Sequence, residues 1–240
     1  MQATGSQTDK ALYGLRTLIV EGRLKPGDRV FEQTVVDAIG VSRTPARAAL
    51  QRVSEEGLID ALPSGGYIVA SFTDDDVFDG IAIRGNLEGM AARLAAEKGL
   101  TSGYAQALGD CLAALDQLLL SDDLKVVQID YIRLNDRFHQ LVAEASRSAM
   151  MLRALERLVA IPFSVNNSFV DVPDELVPQV LAILRDAQVQ HHSILEAISC
   201  GEGTRAQALM NEHSRCAWRY LKLMRSHQQA YPTRLLAVPF

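Results

Sequence analysis

The sequence has no run of the roughly 20 uncharged apolar residues that a membrane-spanning helix needs, although 48 % of its 240 residues are hydrophobic. Its three cysteines, Cys111, Cys200 and Cys216, are odd in number and have no C-x-x-C spacing. That excludes a disulfide framework or a thiolate-rich zinc knuckle and reads as reduced thiols used for packing. Residues Met1 to Thr8 lack the basic-then-apolar order of a secretory signal, so a cytoplasmic location is expected. Aromatic residues are scarce at 6 %, and there are only five histidines. An excess of positive charge is missing too. The net charge is −5, which argues against a generic polyanion binder. Residues 1–72 carry eight basic and eight acidic groups, so the surplus acid lies in residues 73–240. A neutral first segment can bind nucleic acid only if its arginines cluster on one face and two copies act together.

Such a cluster is present. Residues 40–50 read Gly-Val-Ser-Arg-Thr-Pro-Ala-Arg-Ala-Ala-Leu. Gly40 suits the left-handed conformation that closes a helix. Ser42 or Thr44 can cap the next one, with Pro45 in a first turn where its missing N–H costs nothing. Arg43 and Arg47 stand four apart, hence on one face at the start of that helix, where an arginine fork suits guanine O6/N7 or phosphate oxygens. Around this run the pattern gives a first helix with Leu12, Leu15, Ile19 and Val20, a turn cluster at Gly22 to Gly27, and a second helix over Phe31 to Ile39. The third helix spans about Thr44 to Glu56, with Ala46, Leu50 and Val53 inward. Leu58 to Leu62 and Tyr67 to Ser71 then flank Pro63-Ser64-Gly65-Gly66 as a hairpin. Three helices and a hairpin make a winged helix-turn-helix.

The acidic run Thr73-Asp74-Asp75-Asp76 is the expected boundary, with Thr73 capping a carboxylate-rich first turn. Beyond it the periodicity predicts only helices, over about 74–98, 102–120, 123–146, 148–165, 174–200 and 203–227. The fold class is therefore mainly α: a winged helix-turn-helix in residues 1–72, an all-helical bundle in 73–230, and a loosely ordered tail in 231–240. The segment Asn166 to Pro178 has no clear pattern.

Three histidines stand out in the second region. Asn135 and His139 are four apart on one helix, while His191 and His213 lie on two helices joined by Gly201-Glu202-Gly203. Three imidazoles and one oxygen suit zinc, nickel or a related divalent ion. Histidines on helices are more often surface groups or satisfied core groups, and spacing does not choose between these readings. His192 and His227 have no evident partner. Arg84 and Glu88 are an i,i+4 pair, either a solvated ion pair or a buried guanidinium able to clamp a carboxylate.

Together these residues carry a family likeness. Leu24-Lys25-Pro26-Gly27-Asp28-Arg29-Val30 and the run from Gly40 to Leu58 resemble the DNA-binding domain of GntR-family transcription regulators. Arg84-x-x-x-Glu88, Asn135-x-x-Phe138-His139, His191-x-x-Ile194-Leu195-x-Ala197-Ile198 and His213 resemble the FCD ligand-binding domain of the FadR subfamily. The resemblance implies a homodimer that represses from a short palindromic DNA operator and is released by a small carboxylate metabolite. It implies that Arg43 and Arg47 read bases or phosphates, with Ser42, Thr44, Arg52 and Arg29 on the backbone and Gly66 near the minor groove. It implies that Asn135, His139, His191 and His213 hold the divalent metal, with Arg84 as counter-charge to the effector. Effector binding would act on the spacing of the two DNA heads through the linker near Phe72 to Asp76. Two departures stand out: Ala48 where the family usually has Glu, and Asn135 where the first metal ligand is often Asp. The rival readings are a metal-dependent enzyme, a regulator with a purely structural metal, and an acyl-CoA ligand. An enzyme is not expected, since no general base accompanies the histidines.

Overall fold

The computed structural model describes residues 7–20, 23–71, 73–159 and 172–230. The tail 231–240, Gly22, Phe72, the part of the unpatterned segment before Val172 and the last third of the predicted 148–165 helix lie outside them. The chain divides into two compact units that meet in sequence at Val77 and Phe78. As the periodicity predicts, it is mostly helical, with one small sheet in the first unit.

The first unit comprises α1 (Gln7–Val20), β1 (Arg29–Val30), α2 (Glu32–Ile39), α3 (Arg43–Glu55), β2 (Ile59–Ala61) and β3 (Tyr67–Val69). Apolar residues at helical spacing bury one face of each helix. Leu15, Val35, Ala46, Ala49, Leu50 and Val53 meet Val30, Ile59 and Val69 of the sheet. Full burial of each larger side chain contributes ~1.5–3 kcal/mol. Gly40 ends α2 in the left-handed conformation (φ 71°), as the turn requires. Ser42 takes the N-cap position of α3 but makes no side-chain cap bond, and Thr44 lies within the helix. Pro45 sits in the first turn, buried.

The wing has three strands rather than two. In the antiparallel order β1-β3-β2, Arg29 pairs with Ile68 and Val30 with Tyr67, so Arg29 stands in a strand. Two residues are too few to show alternation, and only the long-range pairing with β3 makes them a strand.

The second unit is a helical bundle: α4 (Asp74–Lys98), α5 (Ser102–Leu118), α6 (Leu124–Ala145), α7 (Ala149–Val159), α8 (Val177–Ser199), α9 (Gly203–His213) and α10 (Arg215–Ala230). The cap predicted at Thr73 forms. Asp76 N donates to Thr73 Oγ1 (3.2 Å), and the Asp76 carboxylate accepts from Thr73 N (2.7 Å) and Oγ1 (2.6 Å). These bonds from Thr73 hold the Asp76 carboxyl below its ordinary range.

A single 3₁₀ turn, Asp174–Leu176, precedes α8. That helix packs against α5, α9 and α10, and its Ile194 and Ile198 are fully buried. The helix predicted over 203–227 is in fact two, breaking at Ser214 directly after His213. There the Ser214 hydroxyl donates to Asn211 O (2.7 Å). α4 and α9 approach closely because α4 carries glycines. A Cβ on Gly85 would lie 2.6 Å from Ser214 Cβ, and one on Gly89 would lie 2.1 Å from Asn211 Oδ1 and 3.0 Å from Gln207 O. With the Asn211 amide turned so that this same terminal atom is the nitrogen, it donates to Gly85 O at 2.9 Å.

Candidate functional site

The bundle brings its predicted histidines to one point. His139 comes from α6, His191 from the middle of α8 and His213 from the last position of α9. All three are buried, His191 fully. His191 Nε2 and His213 Nε2 are 3.0 Å apart, His213 Nε2 and His139 Nε2 3.3 Å. Phe138 backs the cluster, its ring centroid 4.3 Å from that of His191.

The tautomers follow from the partners of the other ring nitrogens. Gln188 Nε2 donates to Leu112 O (3.1 Å) and Asp116 Oδ1 (2.7 Å), which turns its Oε1 to His191 Nδ1 at 3.0 Å. Gln190 Oε1 accepts from Cys216 Sγ (3.3 Å) and stands 3.1 Å from His213 Nδ1. The Glu88 carboxylate is 3.1 Å from His139 Nδ1, at ion-pair distance though outside hydrogen-bonding angle. An acceptor opposite each Nδ1 puts the proton there and leaves a lone pair on Nε2.

Three Nε2 lone pairs thus converge. One proton shared by His139 and His213 would still leave the His191 lone pair facing that of His213. Protonation is also disfavoured: burial, then the neighbouring imidazoles, pulls His191 far below its ordinary pKa, and burial and His139 bring His213 to about 3. A cation satisfies all three nitrogens at once. Donors at 2.0–2.1 Å from a shared ion stand about 2.9–3.4 Å apart for ligand angles of roughly 90–110°, and the two separations fall in that range. The donor set fits a divalent metal, and no other group of three His, Cys, Asp or Glu among the described residues does so.

Asn135, one turn before His139 on α6, is buried at 3 % exposure. Arg84 and Glu88 are not a solvated pair. Their side chains are 15 % and 9 % exposed, and Arg84 Nε donates to Glu88 Oε1 at 2.8 Å. Burial raises the Glu88 carboxyl, but His139, whenever it carries a second proton, and the permanent Arg84 guanidinium outweigh it and hold the group ionised, below the usual carboxylate range. The chain Arg84–Glu88–His139 therefore joins α4 to the histidines.

Sequence reading missed the roles of Glu88, Gln188 and Gln190. Only Glu88 had a signal, its place in Arg84-x-x-x-Glu88. His192 and His227 do have partners: His192 Nε2 is 3.0 Å from both Asp116 oxygens, and His227 Nε2 is 2.8 Å from Glu175 Oε1. Of the cysteines, Cys111 and Cys216 are buried as expected, but Cys200 at the end of α8 is exposed and does not pack.

In the first unit the predicted residues are exposed, apart from the half-buried Gly66. Ser42, Arg43, Thr44, Arg47 and Arg52 are all exposed along α3, as is Arg29 on β1, while Pro45, Ala46, Ala49, Leu50 and Val53 face inward. No acidic residue occupies the first turn of α3, so its positive dipole end stays open to anions. Arg47 Nε donates to Glu32 Oε1 (2.6 Å) and Nη2 to Oε2 (3.3 Å), a pairing with no sequence signal. Gly66 has a local reason as well: its φ is +80°, and a Cβ there would lie 2.5 Å from the Phe31 ring.

Comparison with known proteins gives this geometry its context. Residues 8–69 match the bacterial regulatory proteins of the gntR family, and residues 79–215, more than half the chain, match the FCD domain. The chain is 29 % identical to the HTH-type transcriptional repressor RspR of Escherichia coli, with 83 % of this chain and 82 % of that one aligned. It is 26 % identical to a probable D-xylose utilization operon transcriptional repressor of Paenarthrobacter nicotinovorans, over 81 % of this chain and 80 % of the relative. Among solved structures, McbR/YncC of E. coli superposes with a TM-score of 0.64 at 21 % identity, covering 93 % of this chain and all of that one, a likeness of fold. These matches are to regulators rather than enzymes, and among the described residues no helix is long and apolar enough to cross a membrane. The chain belongs to the GntR family of bacterial transcription regulators, with an FCD domain as its second unit.

Proposed function

We propose that this regulator is a homodimeric repressor which binds a palindromic operator through α3 and is released when a small carboxylate metabolite binds at a metal centre in the FCD domain. The observation that carries the reading is the convergence of three buried Nε2 lone pairs from His139, His191 and His213. With Asn135 as oxygen donor they would hold zinc or nickel, and the bound ion would supply a Lewis-acid contact for a carboxylate. Asn135 brings no charge, and Glu88 cancels Arg84, so these three side chains add no net charge to three neutral imidazoles. A divalent ion then leaves two positive charges to be met in a buried place, which favours an anionic effector over a neutral one. Arg84 adds a guanidinium suited to a carboxylate, held in place by Glu88. α4 carries both residues and begins at the Thr73 cap, directly after β3 and its following residues in the sequence.

On the DNA side, Arg43 and Arg47 would meet base edges, with Ser42, Thr44, Arg52 and Arg29 on phosphates and Gly66 near the minor groove. Two heads on a palindrome give the bivalency that a charge-neutral head needs. The test has two parts. Metal analysis of the purified full chain should find about one zinc or nickel per chain, lost on chelation. Mobility shifts with the DNA upstream of the chain's own gene should weaken when the metal-loaded protein meets the right member of a panel of small carboxylates, and not when the chelated protein does. A protein that takes up no metal, or whose DNA binding no carboxylate alters, overturns the effector reading.

A further inference from the structure

We propose that Glu32 is a positioning residue for Arg47, fixing its guanidinium for base reading and at the same time lowering affinity for non-cognate DNA. This rests on the reading of α3 as the DNA-contacting helix. Glu32 opens α2, and its two carboxylate oxygens take the Nε and Nη2 edge of Arg47 from α3. That fork leaves the Nη1–Nη2 end of an arginine whose side chain is 74 % exposed. The same end makes a bidentate contact with guanine O6 and N7. Ala48, next along α3, offers no carboxylate, so the orienting group comes from the neighbouring helix.

The carboxylate also feels Arg43, more weakly than Arg47, and both arginines hold it below its usual range. It is therefore within electrostatic reach of both arginines that the reading assigns to DNA. In free solution an exposed pair of this kind is weak. Against a duplex, where water is excluded, an Arg47 that left Glu32 would strand a carboxylate facing phosphates. The pair therefore persists on the right sequence, where Arg47 reads a base from its other end. On a random sequence nothing offsets the repulsion between Glu32 and the backbone. One residue thus raises selectivity from both sides.

The experiment selects duplexes from a random library with the full-length wild-type protein, then measures E32A, E32Q, R47A and E32A/R47A on the selected duplex, its single-base variants and a random duplex. Melting curves confirm that each variant is folded. We expect R47A to lose base preference at one position, and E32A to lose roughly tenfold of preference at that same position, with no further loss in the double variant. E32Q, with one acceptor and no charge, should fall between. On random DNA, E32A should bind several-fold more tightly, with a log–log salt slope steeper by about 0.9 as one more cation becomes free for phosphate. Unchanged preference in E32A, loss at a position that R47A leaves intact, or additive losses in the double variant would overturn the positioning role. If R47A keeps every preference, or the wild type selects nothing, the α3 reading fails first and the proposal with it.

Discussion

The two units carry their chemistry in opposite ways. In the first, Ser42, Arg43, Thr44, Arg47 and Arg52 lie within eleven consecutive residues, on the exposed side of a helix whose other side is core. In the second, Arg84, Glu88, Asn135, His139, His191 and His213 come from four helices and are mostly buried. A surface that meets a large polyanion needs one continuous segment with the right spacing. An enclosed site for a small ion must draw donors from all around it. The first can therefore change its polar residues without disturbing its fold. The second cannot, because its functional groups are also part of the packed interior.

That contrast can be broken in four ways. The largest effect should come from the buried centre. H191Q should lose bound metal entirely by elemental analysis. It should also lose the stabilisation that zinc would give the wild type, ~2.7 kcal/mol at a hundredfold excess over Kd, seen as a melting shift. A variant that keeps its metal would show that the trio is not the centre. On the surface, R43A and R47A should each weaken cognate DNA binding by ~1–3 kcal/mol, roughly five- to 150-fold, with melting temperatures unchanged. A fall in stability comparable to that of H191Q would remove the distinction between the units.

Packing within the bundle provides the third. G89A would push a methyl into Asn211 and the Gln207 carbonyl and should cost ~1–3 kcal/mol. G109A in α5, with nothing within 4 Å, should instead stabilise by up to ~1 kcal/mol. Denaturant melts of the two variants, moving in opposite directions, would show that the α4–α9 approach is what requires glycine. The smallest effect lies at the junction. T73A should cost ~1 kcal/mol at neutral pH. Asp76 is held below its ordinary pKa by Thr73, so its contribution is present above the usual carboxylate range and is lost as pH falls through the folded value. The gap between wild type and T73A should therefore narrow from pH 7 to pH 3. A constant gap would show that the cap acts without the Asp76 charge.

Legibility in the sequence followed the same division. The helices of the first unit could be read because their burial is periodic and because Gly40 and Pro45 act on the backbone locally. β1 could not, since two residues become a strand only by pairing with β3. In the bundle, His139, His191 and His213 were legible as separate helical residues. Gln188 and Gln190 were not, since a glutamine beside a histidine is ordinary until Asp116 on α5 and Cys216 on α10 turn it. The break at Ser214 was equally hidden, because the apolar pattern of α9 and α10 runs through it.

By itself the sequence determined the family, the winged head, most of the helices, and the arginines and histidines proposed to carry function. These depend on interactions within a few residues or on side-chain chemistry alone. Only the tertiary structure decided that Arg84 and Glu88 are buried and tied to His139, and that each imidazole presents Nε2 inward. It also decided that Arg47 is held by Glu32, fifteen residues away, rather than by a neighbour on its own helix. Each of these outcomes depends on which distant backbone stands opposite a side chain, and residue spacing along one helix carries no record of that.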